Sequence, residues 1–186
     1  MQIPWNKDHP FTSLYFHIFK LANFQIALLT FIHLTTFVAA PPERVFDLSR
    51  SVDLHRQSMN AYAEQVVDGV RSGLMNEGDT VTWTARHLMK QRRLKVRITA
   101  MKRPDFFSDE QVEGDFVKMK HEHYFKPVEN GTIMIDQFHF ETGYGWAGRL
   151  FSQIYLEKYM TRLLTERNAI IKKAAESNGW KPFLNL

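Results

Sequence analysis

Across residues 117–141, apolar or ring-bearing side chains fall on every second position on both sides of the dipeptide Asn130-Gly131. Strict alternation describes strands with one face toward a core, and Asn-Gly is a strong two-residue hairpin signal. This stretch is therefore constrained to an antiparallel hairpin buried on one side. With Asn130-Gly131 as the turn, Glu129 lies opposite Thr132, Phe125 opposite Asp136, His123 opposite Phe138 and His121 opposite Phe140. The inward face then carries Val117, Met119, His121, His123, Phe125, Met134, Asp136, Phe138 and Phe140. The outward face carries Lys118, Lys120, Glu122, Tyr124, Gln137, His139 and Glu141. Two strands bury little by themselves, so the hairpin requires more strands and a covering element.

The rest of the chain supplies them. Residues 29–39 are rich in β-branched and aromatic types and read as a strand. Ala40-Pro41-Pro42-Glu43 suits a helix start, with Val45, Phe46 and Leu48 on the apolar side of a short helix. Ser51-Val52-Asp53 starts a second, with Ser51 as its cap. Further strands fit residues 62–70, 78–88, 93–102 and 105–112, and the hairpin strands 115–127 and 132–141. In the strand 78–88, Val81, Trp83, Ala85 and His87 share one face against Thr80, Thr82, Thr84 and Arg86. Residues 145–177 form one long helix whose apolar members are Leu150, Phe151, Ile154, Tyr155, Leu163, Ile170 and Ala174. Asn178-Gly179 would end it in a left-handed stop. At 186 residues with fifteen Phe and four Trp, the chain can build one ordinary core, and one domain is expected.

The N-terminal stretch reads less simply. Leu21 to Pro42 carries no formal charge, a length that would permit a membrane span, but Asn23, Gln25 and His33 interrupt it and residues 30–38 favour a strand. Val38-Ala39-Ala40 has small residues of the signal-peptidase type, yet cleavage there would remove a strand the sheet needs. The reading is an extension at 1–28 followed by a domain at 29–182. With no cysteine, the chain suits a reducing cytoplasm, and thiolate metal sites are excluded. Membrane association through residues 11–40 is the competing reading.

A strand, two short helices, six antiparallel strands and a long terminal helix is the order of the helix-grip proteins. The segments 40–48, 78–83 and 114–125, the last with its His121-Glu122-His123 core, resemble an uncharacterised bacterial branch of the SRPBCC superfamily. That superfamily includes START lipid-transfer domains, birch-pollen-allergen-like proteins and polyketide cyclases, and some members of the branch carry the label cell-division inhibitor. The resemblance covers about residues 30–182. It implies an α+β helix-grip fold: a curved seven-stranded antiparallel sheet around a long C-terminal helix, with two short helices between the first two strands. The glycine-rich loop of the pollen-allergen branch is absent.

The fold so implied has a cavity between sheet and helix, and polar groups aimed into an apolar cavity need partners or a ligand. The candidate lining is His55, Trp83, His87, Phe107, Met119, His121, His123, Phe125, Met134, Asp136, Phe138, Phe140, Phe151 and Tyr155. In the hairpin register above, Asp136 is a diagonal neighbour of His123, close enough to orient its imidazole. Three functions follow. The first is binding or carriage of a small hydrophobic or lipid-like molecule. The second is a cyclase or dehydratase using His123 and Asp136 as an acid/base pair. The third, implied by the resemblance alone, is an interaction protein in cell-division or envelope control. His121 and His123 also have the spacing of two metal ligands, with Asp136 or His87 as a third. The helix-grip family as a whole works without metal, so neither metal nor cofactor is expected.

Between Arg86 and Arg103 there are eight Lys or Arg residues and no acid. The simple reading is a solvated strand face with Lys95, Arg97 and Thr99 outward, beside a basic turn Lys90-Gln91-Arg92-Arg93. Weak contact with an anionic membrane through Lys90, Arg92 and Arg93 is the alternative. A net charge of only +4 gives no basis for nucleic acid as a partner.

Overall fold

The computed structural model describes residues 30–143 and 150–184; the proposed extension at 1–28 and the expected helix start at 145–149 lie outside the described residues. In chain order the elements are β1 (Thr30–Val38), α1 (Pro42–Ser49), α2 (Val52–Ser58), β2 (Gln65–Gly69), β3 (Thr80–His87), β4 (Lys90–Lys102), β5 (Phe106–Glu113), β6 (Lys118–Val128), β7 (Gly131–Glu141) and α3 (Glu157–Ala175). A single π turn, Ser152–Leu156, leads into α3. All strand pairs are antiparallel, in the order β1-β7-β6-β5-β4-β3-β2. The first strand pairs with the last, α1 and α2 bridge to the far edge, and α3 packs on β1, α1 and α2. This is the expected curved helix-grip sheet. Register breaks in β2 at Val66/Asp68 and in β4 at Lys95/Val96 and Ile98/Ala100 are bulges, which bend and twist a sheet.

Local chemistry accounts for the helices. Pro42 occupies the first turn of α1, where its missing N–H costs nothing, and Val45, Phe46 and Leu48 turn fully into the core. Phe46 meets Phe107 and Phe125 edge-on at centroid distances of 5.5 and 5.4 Å, which locks α1 to β5 and β6. Ser51 caps α2 as expected, its Oγ accepting from the Leu54 N–H at 3.3 Å. The α1–α2 corner is held by Arg50, which pairs with Asp47 at 2.7 Å and donates to the Met75 carbonyl at 2.7 Å.

Three local expectations are corrected. The hairpin turns one residue earlier than Asn130-Gly131: Val128 pairs with Gly131, so His123 lies opposite Asp136, His121 opposite Phe138 and Phe125 opposite Met134. The third strand decides this register. Gly131 packs so closely on β1 that a Cβ there would lie 2.2 Å from the Val38 carbonyl oxygen, and the Thr132 hydroxyl donates to the Ala40 carbonyl at 2.7 Å. A shift of two residues in pairing leaves every side chain on its face, so the inward set survives, except that Val117 precedes the strand and is exposed. Second, Lys90–Arg93 is not a turn. The bend is Leu88-Met89, whose φ values of 51° and 64° match a two-residue hairpin turn, and Lys90 already pairs with His87. Third, Asn178-Gly179 forms a 3₁₀ turn rather than a left-handed stop, with Ser177 Oγ accepting from the Gly179 N–H at 3.0 Å. The turn brings Trp180 under the Arg44 guanidinium at 4.7 Å and returns Leu184 to the core.

The start of the terminal helix also departs from a single apolar stripe. Leu150, Phe151, Ile154 and Tyr155 are 49–60% exposed, whereas α3 buries Leu163, Leu164, Arg167, Asn168, Ile171, Ala174 and Ala175. A π turn takes more residues per turn than an α-helix, so residues before it are rotated off the stripe that continues beyond it.

Candidate functional site

Between the concave face and α3 lie two adjoining chambers. The inner one, about 170 Å³, is walled by apolar side chains including Val96, Ile98 and Phe107, with Asp109, His121, His123 and Arg167 in the same wall. The outer one, about 270 Å³, lies between Leu88, Phe116, Phe151 and Tyr159. Trp83, His87, Met160 and Leu163 line both, so the two spaces adjoin along α3.

The polar cluster is built across three neighbouring strands. Asp109 on β5 pairs in register with His121 on β6, and His123 on β6 pairs with Asp136 on β7. Side chains then cross diagonally. His121 Nε2 lies 2.9 Å from Asp136 Oδ1, and His123 Nε2 lies 3.2 Å from Asp109 Oδ2. His123 Nδ1 also sits 3.0 Å from Asp136 Oδ1, so one carboxylate holds both imidazoles. From α3, Asn168 Nδ2 donates to Asp136 Oδ2 at 2.6 Å, and Arg167 reaches Asp136 at 3.5 Å and His123 at 3.4 Å. The His123 ring is stacked on Phe107 at 4.1 Å. Asp136 is fully buried and lines neither chamber; it acts on the pocket through the two histidines.

Electrostatics sort these groups. Burial, reinforced by neighbouring His123, pushes the His121 imidazole down to about 4 against the pull of Asp136, so it is neutral at pH 7. Burial would raise both carboxyls. For Asp136 it is outweighed by hydrogen bonds from His121 and His123 and by the Arg167 charge, which hold it well below the ordinary carboxylate range. The His123 hydrogen bond and the nearby His121, His123 and Arg167 likewise lower Asp109. Two carboxylates therefore face one guanidinium in a space that excludes most water.

Other expected residues divide by position. His55, Trp83, His87, Phe107, Met119 and Phe138 line the inner chamber, and Phe151 the outer. The His55 ring lies tilted against Trp83 at 4.4 Å between centroids, and its Nε2 lies 3.1 Å from the Glu64 carboxylate. His87 Nδ1 is 2.8 Å from the Tyr159 hydroxyl, and burial lowers its basicity. Four residues line neither chamber. Phe125, Met134 and Phe140 are spent on packing beneath α1 and between strands, and Tyr155 is rotated outward by the π turn, stacked on Phe151 at 5.5 Å. Asp109, Arg167 and Asn168 were not anticipated, although each carried a signal. Asp109 stands two residues from inward-facing Phe107, and Arg167-Asn168 interrupts the apolar stripe between Leu163-Leu164 and Ile171. On the basic edge, Arg92 pairs with Asp115 at 2.6 Å and Arg93 with Glu113 at 3.9 Å, which reduces the charge this edge offers an anionic surface. Among the described residues no helix is long and apolar enough to cross a membrane.

No protein-family model matches the chain, and no curated protein matches it in sequence. Solved structures do match in shape. TTHA0849 from Thermus thermophilus is 18% identical with a TM-score of 0.65, over 78% of this chain and 97% of that one. The di-domain ARO/CYC StfQ from the steffimycin biosynthetic pathway is 12% identical with a TM-score of 0.65, over 81% of this chain and 52% of that one. Major latex-like protein 151 from Panax ginseng is 13% identical with a TM-score of 0.60, over 80% and 98%. The chain shares the helix-grip fold of these structures.

Proposed function

We propose that the protein binds a small, largely apolar molecule in the two chambers, with the polar end of that molecule held by His121, His123 and Arg167. The observation that carries this reading is the placement of a nine-tenths-buried guanidinium and two buried imidazoles in the wall of an otherwise apolar cavity. Such groups are costly to bury unless each donor has a partner, and a ligand oxygen offers them a further one. The fold supports the same reading, because it encloses a space between sheet and helix. An environment-sensitive apolar probe, anilinonaphthalene sulfonate, tests it directly. Wild-type protein is expected to bind one equivalent, and Met160→Trp, a larger side chain at a position that lines both chambers, is expected to weaken binding at least about tenfold without loss of helicity. Equal binding by both proteins would contradict this use of the chambers.

A catalytic reading rests on a specific feature: His123 lies between two carboxylates, an arrangement that orients an imidazole through both of its ring nitrogens. It would fit a cyclase or dehydratase acting on an activated carbon. The two readings part on His123→Gln. A carrier changes affinity only modestly, whereas an enzyme loses roughly a hundredfold or more in turnover.

A further inference from the structure

Asp109, His121 and His123 each bring one metal-capable atom to within 4.8 Å of the others. We propose that these three side chains form a site for a divalent transition cation, zinc or iron(II), in the wall of the inner chamber. The site draws on two of the histidines assigned above to the polar end of the organic ligand, which a bound cation would meet in their place, and it needs no organic ligand to be tested.

Donor type is the first argument. Two imidazoles and one carboxylate are the set found where a cation is held by three protein ligands with positions left open. Here all three project from adjacent strands, so backbone pairing rather than a loop fixes their separation: His121 and His123 share a face of β6, and Asp109 is the β5 residue paired with His121. Orientation is the second. Metal-bound imidazoles commonly use their far nitrogen on a carboxylate that sets tautomer and ring direction. Asp136 does this for both rings, through His121 Nε2 at 2.9 Å and His123 Nδ1 at 3.0 Å, and is itself fixed by Asn168 at 2.6 Å. That leaves His121 Nδ1 available and directs His123 Nε2 toward Asp109, 3.2 Å away, where a cation replaces the bridging proton.

Charge is the third. Asp109 and Asp136 set two carboxylates against Arg167 inside a low-dielectric wall, so the cluster needs positive charge beyond that one guanidinium. A cation in place of the proton shared by His123 and Asp109 supplies it, on the wall of the inner chamber that Asp109, His121 and His123 all line. The expected third ligand from the spacing alone was Asp136 or His87. The structure assigns Asp136 to the supporting role, and places His87 on Tyr159 instead.

The test uses the full chain purified without an affinity tag, stripped with EDTA and titrated with cobalt(II) and then zinc. One equivalent of cobalt is expected to give visible ligand-field bands that zinc abolishes. Asp109→Asn and His121→Gln are each expected to weaken binding by roughly a hundredfold or more, and Asp136→Asn by roughly 10–100-fold, with far-ultraviolet dichroism unchanged. His139→Gln, on the outer face, leaves affinity unchanged. Folded wild-type protein that gives no cobalt bands, or bands that persist in both Asp109→Asn and His121→Gln, would overturn the site. Because Asp109 is partly accessible at the chamber wall, its variant keeps the test usable if the Asp136 substitution impairs folding.

Discussion

At the scale of residues, Asp136 is the group on which the cluster depends. It is fully buried and receives His121, His123, Arg167 and Asn168. Removing one partner of a buried ion pair strands the other, so Asp136→Ala is expected to cost about 3–5 kcal/mol in urea unfolding. A loss below about 1 kcal/mol would mean that Arg167 and the histidines re-pair or reach water. Protonation gives a second expectation for EDTA-treated protein. His121 is depressed in the folded state from 6.5 to about 4, so the unfolded chain binds the extra proton first. Stability from this group is complete above pH 6.5 and falls as pH drops toward 4; the depressed Asp136 adds a further loss only below 3.8. In unfolding midpoints measured from pH 7 to 4, the gap between wild type and His121→Gln is expected to be constant above that window and to narrow within it as wild type alone loses this stability. Both histidines and Asp136 were legible in the sequence because a period of two places them among Phe and Met. Their mutual contacts were not, since the pairing register that sets them depends on a third strand.

Individual elements show what local signals carry. Alternation and turn residues marked all seven strands, and Ser51 marked the start of α2, because those preferences act within a few residues. Ser51→Ala is accordingly expected to cost about 1 kcal/mol by thermal unfolding, the usual worth of a lost cap. Misread details lie where a distant segment overrides a local preference. Asn130-Gly131 would make a good turn alone, yet β1 crowds Gly131 and moves the turn to Glu129-Asn130. Gly131→Ala tests that explanation: a Cβ would meet the Val38 carbonyl oxygen at 2.2 Å, so destabilisation of more than about 1 kcal/mol is expected. A neutral result would free the register from β1. The π turn before α3 had no comparable signal, and it turned four apolar residues, Leu150, Phe151, Ile154 and Tyr155, away from the stripe to which their spacing assigned them.

For the whole molecule, the sheet and the α3 rod were legible because one face of each is apolar, and two apolar faces in one chain have to meet. The volume left between them was not legible. It depends on where side chains stop short, and Phe125, Met134 and Phe140, inward-facing like the lining residues, are spent on packing away from the chambers. What remains is a pair of adjoining, largely apolar chambers of about 170 and 270 Å³, the inner of which carries Asp109, His121, His123 and Arg167 in its wall. Native mass spectrometry of the full-length protein, isolated under gentle conditions, asks most directly whether that space holds a molecule. The expected result is a species heavier than the polypeptide that reverts to the bare mass in organic solvent, and that Met160→Trp fails to retain. Bare polypeptide in every preparation, together with no uptake of an added apolar carboxylate, would contradict it.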